Sequence, residues 1–177
     1  MLPLSTSYET DIALSRVQFE TSAPIQLMDI TNLVIARVRA SRLRDGLVNV
    51  FSRHTTLSVR IQENEPLLLD DLKAFLERVA PSTAPYRHND FSVRTEHMHP
   101  NESPNGHSHC LHLLLGASES VPVVDGELLL GTWQRLFAIE LDGPRADREI
   151  LIQTLGVVDQ APSGKRVASF EHERSAA

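Results

Sequence analysis

The chain lacks the features that mark secreted and membrane-spanning proteins. Cys110 is the only cysteine in 177 residues, so no disulfide can form within one chain, a cysteine-rich structural zinc site is excluded, and a reducing compartment is indicated. The N-terminus has no basic start followed by an apolar run, and the longest apolar stretches are far too short to span a bilayer. We therefore expect a cytoplasmic protein with no signal peptide and no membrane partner.

Positive charge is also scarce. Lysine and arginine number 17 against 23 aspartate and glutamate residues, which gives a formal net charge of −6. Nucleic-acid binding requires a basic surface, so no nucleic-acid partner is expected. The chain contains no glycine-rich phosphate loop, no G-x-S-x-G elbow and no H-E-x-x-H motif, so the common catalytic fingerprints are missing.

Hydrophobic patterning predicts alternating strands and helices in a chain long enough for one core. The predicted elements are strands at 8–21, 47–51 and 57–62, helices from Asp29 to Ser41 and from Pro66 to Pro81, an irregular connection at 82–106 with a short strand at 91–95, a helix at 106–115, a hairpin around Asp125-Gly126, and strands from Gly131 and Glu149. Asp45-Gly46 is interpreted as a turn. This order predicts a single α+β domain over 1–159, with a mostly antiparallel sheet and two or three helices, and a flexible tail over 160–177.

Histidine is concentrated in one stretch. Six of the eight histidines lie between His88 and His112. Imidazole is the commonest protein metal ligand and titrates near neutral pH, so this cluster indicates a metal-binding or proton-transfer site. A metal site usually takes three or four protein ligands, so some of the six have other roles.

Spacing limits which histidines can share a site. Two residues apart, imidazoles share one face of an extended strand, at about 7 Å, but point nearly opposite ways in a helix. His107 and His109 begin a predicted helix, so only one of that pair is expected in the site, whereas His109 and His112 could share a helix face. His97 and His99 are expected to be solvated loop residues, and whether His97, His99, His107 or His112 joins the site stays open.

Several polar residues have both a functional and a structural interpretation. Thr55 offers a hydroxyl to an anion, although strand propensity also explains it. Glu63 and Asn64 suit acid–base work or helix capping equally. Trp133 could stack on a planar heterocycle while Gln134 binds its polar edge, but a core tryptophan is the commoner situation.

Two further side chains are placed by their neighbours. Glu140 lies in an apolar strand, so we expect it either on the solvent face or in a cleft. Cys110 lies beside apolar residues and is expected to be a packed small hydrophobe rather than a nucleophile.

Several motifs occur in an order that resembles one protein family. They are H-T-T-L-S-V-R-I-Q-E-N-E from His54, Y-R-H-N-D from Tyr86, N-G-H-S-H-C-L-H-L-L-L-G-A-S from Asn105, V-P-V-V-D-G-E-L-L-L-G-T-W-Q from Val121, and Gln153. Together, over residues 8 to 158, they resemble the YjbQ-like family, also called secondary thiamine-phosphate synthase-like proteins.

The resemblance implies a compact α+β fold, a homotrimer, a cleft lined by the motifs and shared between subunits, and a weak activity that joins the pyrimidine and thiazole halves of thiamine phosphate with loss of pyrophosphate. The family's motif positions fall on His54, Thr55, Glu63, Asn64, His88, His109, Gly131, Trp133 and Gln134. Many relatives carry a basic residue where this chain has Leu111, and that loss weakens the case for a bound diphosphate. His107 and His112 point instead toward a fuller metal site.

We predict a metal-assisted enzyme of small anionic or heterocyclic substrates. The predicted ligands of a divalent metal, Zn²⁺ or Mg²⁺, are His54, His88 and His109, which would converge in one hollow. The predicted catalytic residues are His54, Thr55, Glu63 and Asn64. The predicted substrate-binding residues are Trp133, Gln134, Arg53 and Arg87. Two alternatives stay open: a metal-dependent hydrolase, and a non-catalytic trimer that binds a metabolite or a metal.

Overall fold

A computed structural model of the protein describes residues 9–99, 102–159 and 172–174, the last three by their backbone alone. The elements are β1 (Glu9–Thr21), β2 (Gln26–Asp29), α1 (Thr31–Ser41), β3 (Leu43–Ser52), β4 (Leu57–Gln62), α2 (Pro66–Val79), a 3₁₀ turn (Arg87–Asn89), α3 (Gly106–Leu115), β5 (Ser118–Val124), β6 (Glu127–Leu128), β7 (Arg135–Glu140), β8 (Arg145–Val158) and β9 (His172–Arg174). The predicted α+β class, with mostly antiparallel strands and two or three helices, is confirmed. Apart from β9, the predicted flexible tail lies outside the described residues.

The strands form two sheets that enclose the main core. One sheet has six strands in the order β6-β5-β3-β8-β1-β9, and the other has three in the order β2-β7-β4. The pairings are antiparallel except that of β9 with β1. Buried aliphatic side chains from both sheets and from α1 fill the space between them. No helix in the described ranges combines the length and the apolarity needed to cross a membrane.

Strand β7 is buried on both faces. Leu136 and Ala138 pack into the core between the sheets, whereas Phe137 and Ile139 pack on the other side, against residues of α2 and α3. Side chains alternate along a strand, so Glu140 follows Leu136 and Ala138 on the face toward the six-stranded sheet. A carboxylate is therefore placed between the two sheets.

The predicted turn at Asp45-Gly46 is wrong, because both residues lie inside β3. A Cβ on Gly46 would come within 2.2 Å of the Leu155 carbonyl oxygen. Opposite it, Gly156 has a φ of 154°, and a Cβ there would come within 2.2 Å of the Asp45 carbonyl oxygen. The glycine at 46 thus allows two backbones to approach closely at an irregularity in the strand, where the sequence pattern indicated a reversal.

Helix α1 begins differently from the prediction. Its N-cap residue is Ile30, not Asp29, which ends the unpredicted strand β2. The Asp29 carboxylate still accepts a hydrogen bond from the Thr31 N–H group at 2.9 Å and so serves the first turn of the helix.

Helix α2 has the predicted start, but most of its apolar face is not buried. The Glu65 carboxylate accepts hydrogen bonds from the first-turn N–H groups, and Pro66 occupies the first turn. Among the apolar residues of its second half, Leu76 is buried, whereas Phe75 and Val79 are 52% and 44% exposed.

Two predicted strand segments are turns. Residues 91–95 form turns rather than a strand, and β7 begins at Arg135 rather than at Gly131. The Gly131 N–H group donates to Gln134 Oε1 at 2.8 Å, which closes the 131–134 turn locally. The predicted hairpin at Asp125-Gly126 is confirmed, and both residues have the positive φ values that such a turn requires.

Candidate functional site

The turn between β7 and β8 connects the elements that carry the predicted histidines. Glu140 is fully buried and forms an ion pair with Arg148, whose Nε donates to Glu140 Oε2 at 2.6 Å. The N–H groups of Leu141 and Asp142 donate to Glu140 Oε1 at 3.0 and 2.8 Å. The prediction of a solvent-facing or cleft carboxylate at Glu140 is wrong, because these donors satisfy it between the sheets.

This turn and the beginning of β8 together hold the segment between β3 and β4 that carries His54. Arg148 Nη2 donates to Thr56 Oγ1 at 2.9 Å, and the Leu141 N–H group donates to the Thr56 carbonyl at 3.1 Å. The Glu149 N–H group donates to His54 Nε2 at 2.9 Å, which places the proton of the neutral ring on Nδ1. Burial, and then the charge of Arg148, lower the pKa of His54 below its ordinary value of 6.5, so the neutral ring is favoured.

The same turn fixes the start of α3. Ser108 Oγ donates to the Leu141 carbonyl at 2.5 Å, and Asn105 Nδ2 donates to Asp142 Oδ2 at 2.9 Å. Asn105 is the N-cap residue of α3, but its side chain makes no cap hydrogen bond and binds Asp142 instead. The position of α3, and with it His109, therefore depends on the β7–β8 turn.

His88 and His109 are in contact. Their ring centroids are 4.7 Å apart and the planes meet edge-on at 72°. The backbone of Thr55 lies near the His109 ring and opposes the lowering of its pKa. Burial, and then the neighbouring His88, lower the pKa of His109 below 6.5. His88 Nε2 is buried and has no hydrogen-bond partner among the described residues, since Glu102 Oε1 lies 3.6 Å away.

The loop after the 3₁₀ turn is organised by Arg94, which the sequence analysis missed. Its guanidinium pairs with the Glu102 carboxylate and donates to the carbonyls of His88 and His97 at 3.5 and 2.8 Å. The hydrogen bond from Arg94 is the main reason that the pKa of Glu102 lies below its ordinary value. The only signal in the sequence was a pair of opposite charges in an irregular segment, where no periodicity indicates that they meet.

Two cavities are associated with these histidines. The larger, of about 460 Å³, is lined by Arg87, His88, Val93, Arg94, Glu96 and His97. The smaller, of about 290 Å³, is lined by Gln18, Arg53, His54, Asp147 and Glu149. His88 and His54 thus face different cavities.

The three predicted metal ligands do not meet within one chain. His88 and His109 are in contact, whereas His54 accepts a hydrogen bond from the Glu149 backbone and faces the smaller cavity. In the part of the chain that the structure describes, no three histidine, cysteine, aspartate or glutamate side chains are arranged to hold a metal ion. The two-imidazole contact is therefore the part of the predicted cluster that the fold assembles.

The other histidines of the stretch take separate positions. His97 and His99 are exposed in the loop, as predicted. His107 lies in the first turn of α3, and the centroid of its ring is 6.2 Å from that of the Tyr86 ring. His112 Nε2 is buried and has no hydrogen-bond partner within the described ranges, and burial lowers the pKa of this ring.

The remaining predicted residues lie at the far end of β4 and β7. Gln62 pairs with Arg135 at that end, whereas Leu57 pairs with Glu140 at the end near His54. Five residue steps separate the two ends, which is about 17 Å at the usual rise of a strand. One chain therefore does not unite the histidines with the predicted residues Glu63, Asn64, Trp133 and Gln134.

That far end is held by an ion pair and has an exposed aromatic side chain. Arg135 Nε lies 2.7 Å from Asp29 Oδ2, to which Asn64 Nδ2 donates at 3.0 Å. Trp133 is 70% exposed, so a core position for it is excluded. β3 and β4 belong to different sheets, so the strands on either side of His54 do not pair with each other.

The predicted arginines are placed at the two cavities. Arg53 Nη1 lies 2.9 Å from Glu149 Oε1 at the smaller cavity. Arg87 is exposed at the larger cavity, and its guanidinium makes no hydrogen bond or ion pair within the described part of the chain. Cys110 is exposed, so its predicted packing as a small hydrophobe is wrong.

Comparison with known proteins places the chain in one family. The sequence profile described as UPF0047 protein YjbQ-like matches residues 15–157. A UPF0047 protein of Methanothermobacter thermautotrophicus is 39% identical over 146 residues, which cover 82% of this chain and 94% of that protein. UPF0047 protein YugU of Bacillus subtilis is 31% identical over 143 residues, which cover 81% of this chain and 99% of that protein.

Solved structures agree with the sequence comparison. A YbjQ-like protein of unknown function from Sulfolobus solfataricus superposes with a TM-score of 0.75 at 29% identity, over 84% of this chain and 99% of that one. A protein of the YjbQ/UPF0047 family from Clostridium acetobutylicum gives a TM-score of 0.67 at 33% identity, over 81% and 98%. The chain therefore belongs to the UPF0047, or YjbQ-like, family, as its motifs predicted.

Proposed function

We propose that the protein is an enzyme of a small anionic substrate whose reacting group is handled by His88 and His109, with a divalent metal as the assisting cation. The observation that carries the proposal is the buried, unsatisfied Nε2 of His88, in edge-on contact with His109 and beside a cavity of about 460 Å³. A buried polar nitrogen without a partner costs free energy, so its retention indicates a ligand or a proton-transfer role.

The neutral state of His109 suits this role. A neutral imidazole has one unprotonated nitrogen, which can act as a base or a ligand. Its lowered pKa keeps that nitrogen unprotonated at neutral pH, as both roles require. His54 presents a donating Nδ1–H to the other cavity, and we assign it to substrate positioning rather than to the metal.

The donor set fits Zn²⁺ better than Mg²⁺, because imidazole is a borderline-soft ligand and Mg²⁺ prefers oxygen. His88 and His109 would supply two ligands, and the substrate, water or a second copy of the chain would complete the set. Such a cation neutralises the charge of a leaving anion or activates a water molecule.

The larger cavity has a cationic side chain that can bind an anion despite the acidic chain. The charge of Arg94 is balanced by Glu102, whereas Arg87 forms no ion pair within the described residues, although the Glu96 carboxylate also lines this cavity. A guanidinium in that position can bind two oxygens of a phosphate group. We therefore propose phosphate esters or diphosphates as the substrate class.

The organic part of the substrate would be held by a second copy of the chain. Trp133 is exposed at the end of β7 remote from the histidines, so the Trp133-Gln134 turn, with Glu63 and Asn64, is available to a neighbouring protomer. We propose the homotrimer that the family resemblance implies, with this turn closing the partner's cavity. The reaction would be the thiamine-phosphate type, in which a ring nitrogen displaces pyrophosphate from a methylene carbon.

The test is product analysis with defined cations. The purified protein is incubated with the pyrimidine diphosphate and the thiazole phosphate, with Zn²⁺, Mg²⁺ or chelator, and the joined product and pyrophosphate are quantified. Equal amounts of both support the synthase, pyrophosphate or phosphate alone indicates the hydrolase, and binding without turnover indicates a metabolite-binding trimer.

Variants locate the activity. His88→Ala and His109→Ala should each abolish metal uptake measured by elemental analysis, while His99→Ala, an exposed histidine of the same loop, should retain it. Unchanged metal content in His109→Ala would refute the assignment of that ring as a ligand. Trp133→Ala should leave the fold intact and raise KM for the organic substrate.

A further inference from the structure

The smaller cavity has hydrogen-bonding groups of its own. Glu149 is engaged, because Arg53 and Gln18 bind its carboxylate and its N–H group binds His54. Asp147 is exposed, and its carboxylate makes no hydrogen bond or ion pair within the described ranges. The groups that this leaves for a ligand include the Nδ1–H donor of His54 and the carboxylate acceptor of Asp147.

We propose that this cavity is a second ligand site, which takes a small uncharged group carrying a hydrogen-bond acceptor beside an N–H donor, such as a primary amide or an amino-substituted nitrogen ring. The acceptor of the ligand receives the His54 Nδ1–H, and its N–H donates to Asp147. The assignment of this site to a second reactant rests on the function proposed above. The binding of such a ligand to the cavity does not.

Charge separates the ligands of the two cavities. Arg53 pairs with Glu149, so among the charged side chains that line the smaller cavity Asp147 is the one without an ion pair in the described ranges. An anion there would face that carboxylate, whereas the larger cavity offers Arg87 and two histidines. In this way the two cavities would hold an uncharged ring and a phosphate group at separate places.

Size restricts the ligand further. About 290 Å³ is the space of roughly ten water molecules at about 30 Å³ each. One six-membered ring with a single polar substituent fits this volume.

The test uses benzamide and benzoate as a matched pair. They share size and shape, but only benzamide has the N–H donor and lacks the charge. Titration of ¹⁵N-labelled protein should show that benzamide shifts the backbone signals of residues 53–54 and 147–149, and that benzoate binds at least about tenfold more weakly.

Variants make the assignment specific. Asp147→Ala should weaken benzamide about tenfold, the effect of one hydrogen bond to a charged group, whereas Asp71→Ala, an exposed carboxylate on α2, should not. Equal binding of benzamide and benzoate, shifts elsewhere in the protein, or unchanged affinity in Asp147→Ala would overturn the proposal.

Pyrophosphate distinguishes this proposal from the previous one. It should bind the same samples at the larger cavity, with a loss in Arg87→Ala and none in Asp147→Ala. If pyrophosphate fails to bind while benzamide binds through Asp147, the second site stands and the anionic site fails; the reverse result rejects the second site alone.

Discussion

Replacing Arg148 by methionine tests the contacts that join the beginning of β8 to β7 and to the β3–β4 segment. The substitution keeps an unbranched, apolar stem in the buried space but removes the guanidinium that binds Glu140 and Thr56. Glu140 is fully buried, so its carboxylate would be left without its cation between the two sheets.

The expected loss of stability in Arg148→Met is large because both partners of the Arg148–Glu140 ion pair are buried. Removing one partner of such a pair costs about 3–5 kcal/mol of the free energy of unfolding, since the other charge stays buried. For a domain of this size that corresponds to a fall in Tm of about 6–20 °C. Glu140→Gln should cost a similar amount, although its remaining oxygen can still accept from Leu141 and Asp142.

Urea unfolding at one protein concentration measures all four members of the cycle: wild type, Arg148→Met, Glu140→Gln and the double variant. The double variant should lose about 2 kcal/mol less free energy of unfolding than the sum of the two single losses. In Glu140→Gln alone the Arg148 cation stays buried without a carboxylate, and Arg148→Met removes that cation. The matched control is Arg39→Met, since Arg39 forms an ion pair with Glu127 in which both side chains are 65% exposed. It should cost less than about 1 kcal/mol. A loss below about 1 kcal/mol in Arg148→Met, or strict additivity in the double variant, would refute the reasoning.

Three further predictions concern stability. Ser108→Ala removes the donor to the buried Leu141 carbonyl and should lower the free energy of unfolding by about 1–3 kcal/mol in urea titrations, whereas Ser22→Ala, on the surface, should change it little. Gly46→Ala places a Cβ 2.2 Å from a backbone oxygen and should cost more than about 2 kcal/mol by the same assay, and a wild-type midpoint would contradict the close approach of β3 and β8. Burial lowers the pKa of His54, His109 and His112 in the folded state below 6.5, so the unfolded chain binds more protons. The stability that these histidines contribute is therefore present above pH 6.5 and should be lost as pH falls from there through the folded-state values, with a smaller pH dependence in His112→Leu; urea midpoints independent of pH would exclude this linkage.

Hydrophobic periodicity predicted the elements that bury one face over many residues. β4 and α3 have the predicted bounds, and the hairpin after β5 follows from Asp125-Gly126. Strand β2 was missed because its four half-buried residues have no alternation that a sequence pattern could show. Asp45-Gly46 was misinterpreted because a glycine needed for the approach of two strands looks the same, in sequence, as a glycine needed for a turn.

The site was less predictable than the fold because its contacts join distant residues. The clustering of histidines indicated that His88 and His109 matter, but their contact depends on how an irregular loop returns to α3. The sequence could not show that the Nε2 of His54 binds the backbone of β8. Glu140 was noted as a charge in an apolar strand, yet its partner Arg148 lies in the next strand, where a charged residue has no distinguishing pattern.

The pairing of β1 with β8 has a consequence for how the polypeptide acquires its structure. Val17 lies opposite Ile150, so β1 pairs with a strand that is more than a hundred residues later in the chain. Because such remote pairings carry a high loop-closure cost, folding should be slow compared with that of helical proteins of equal length. On the ribosome β1 cannot pair along its length with β8 until synthesis has passed residue 158, and until then the apolar side of β1 is open to chaperones or to aggregation.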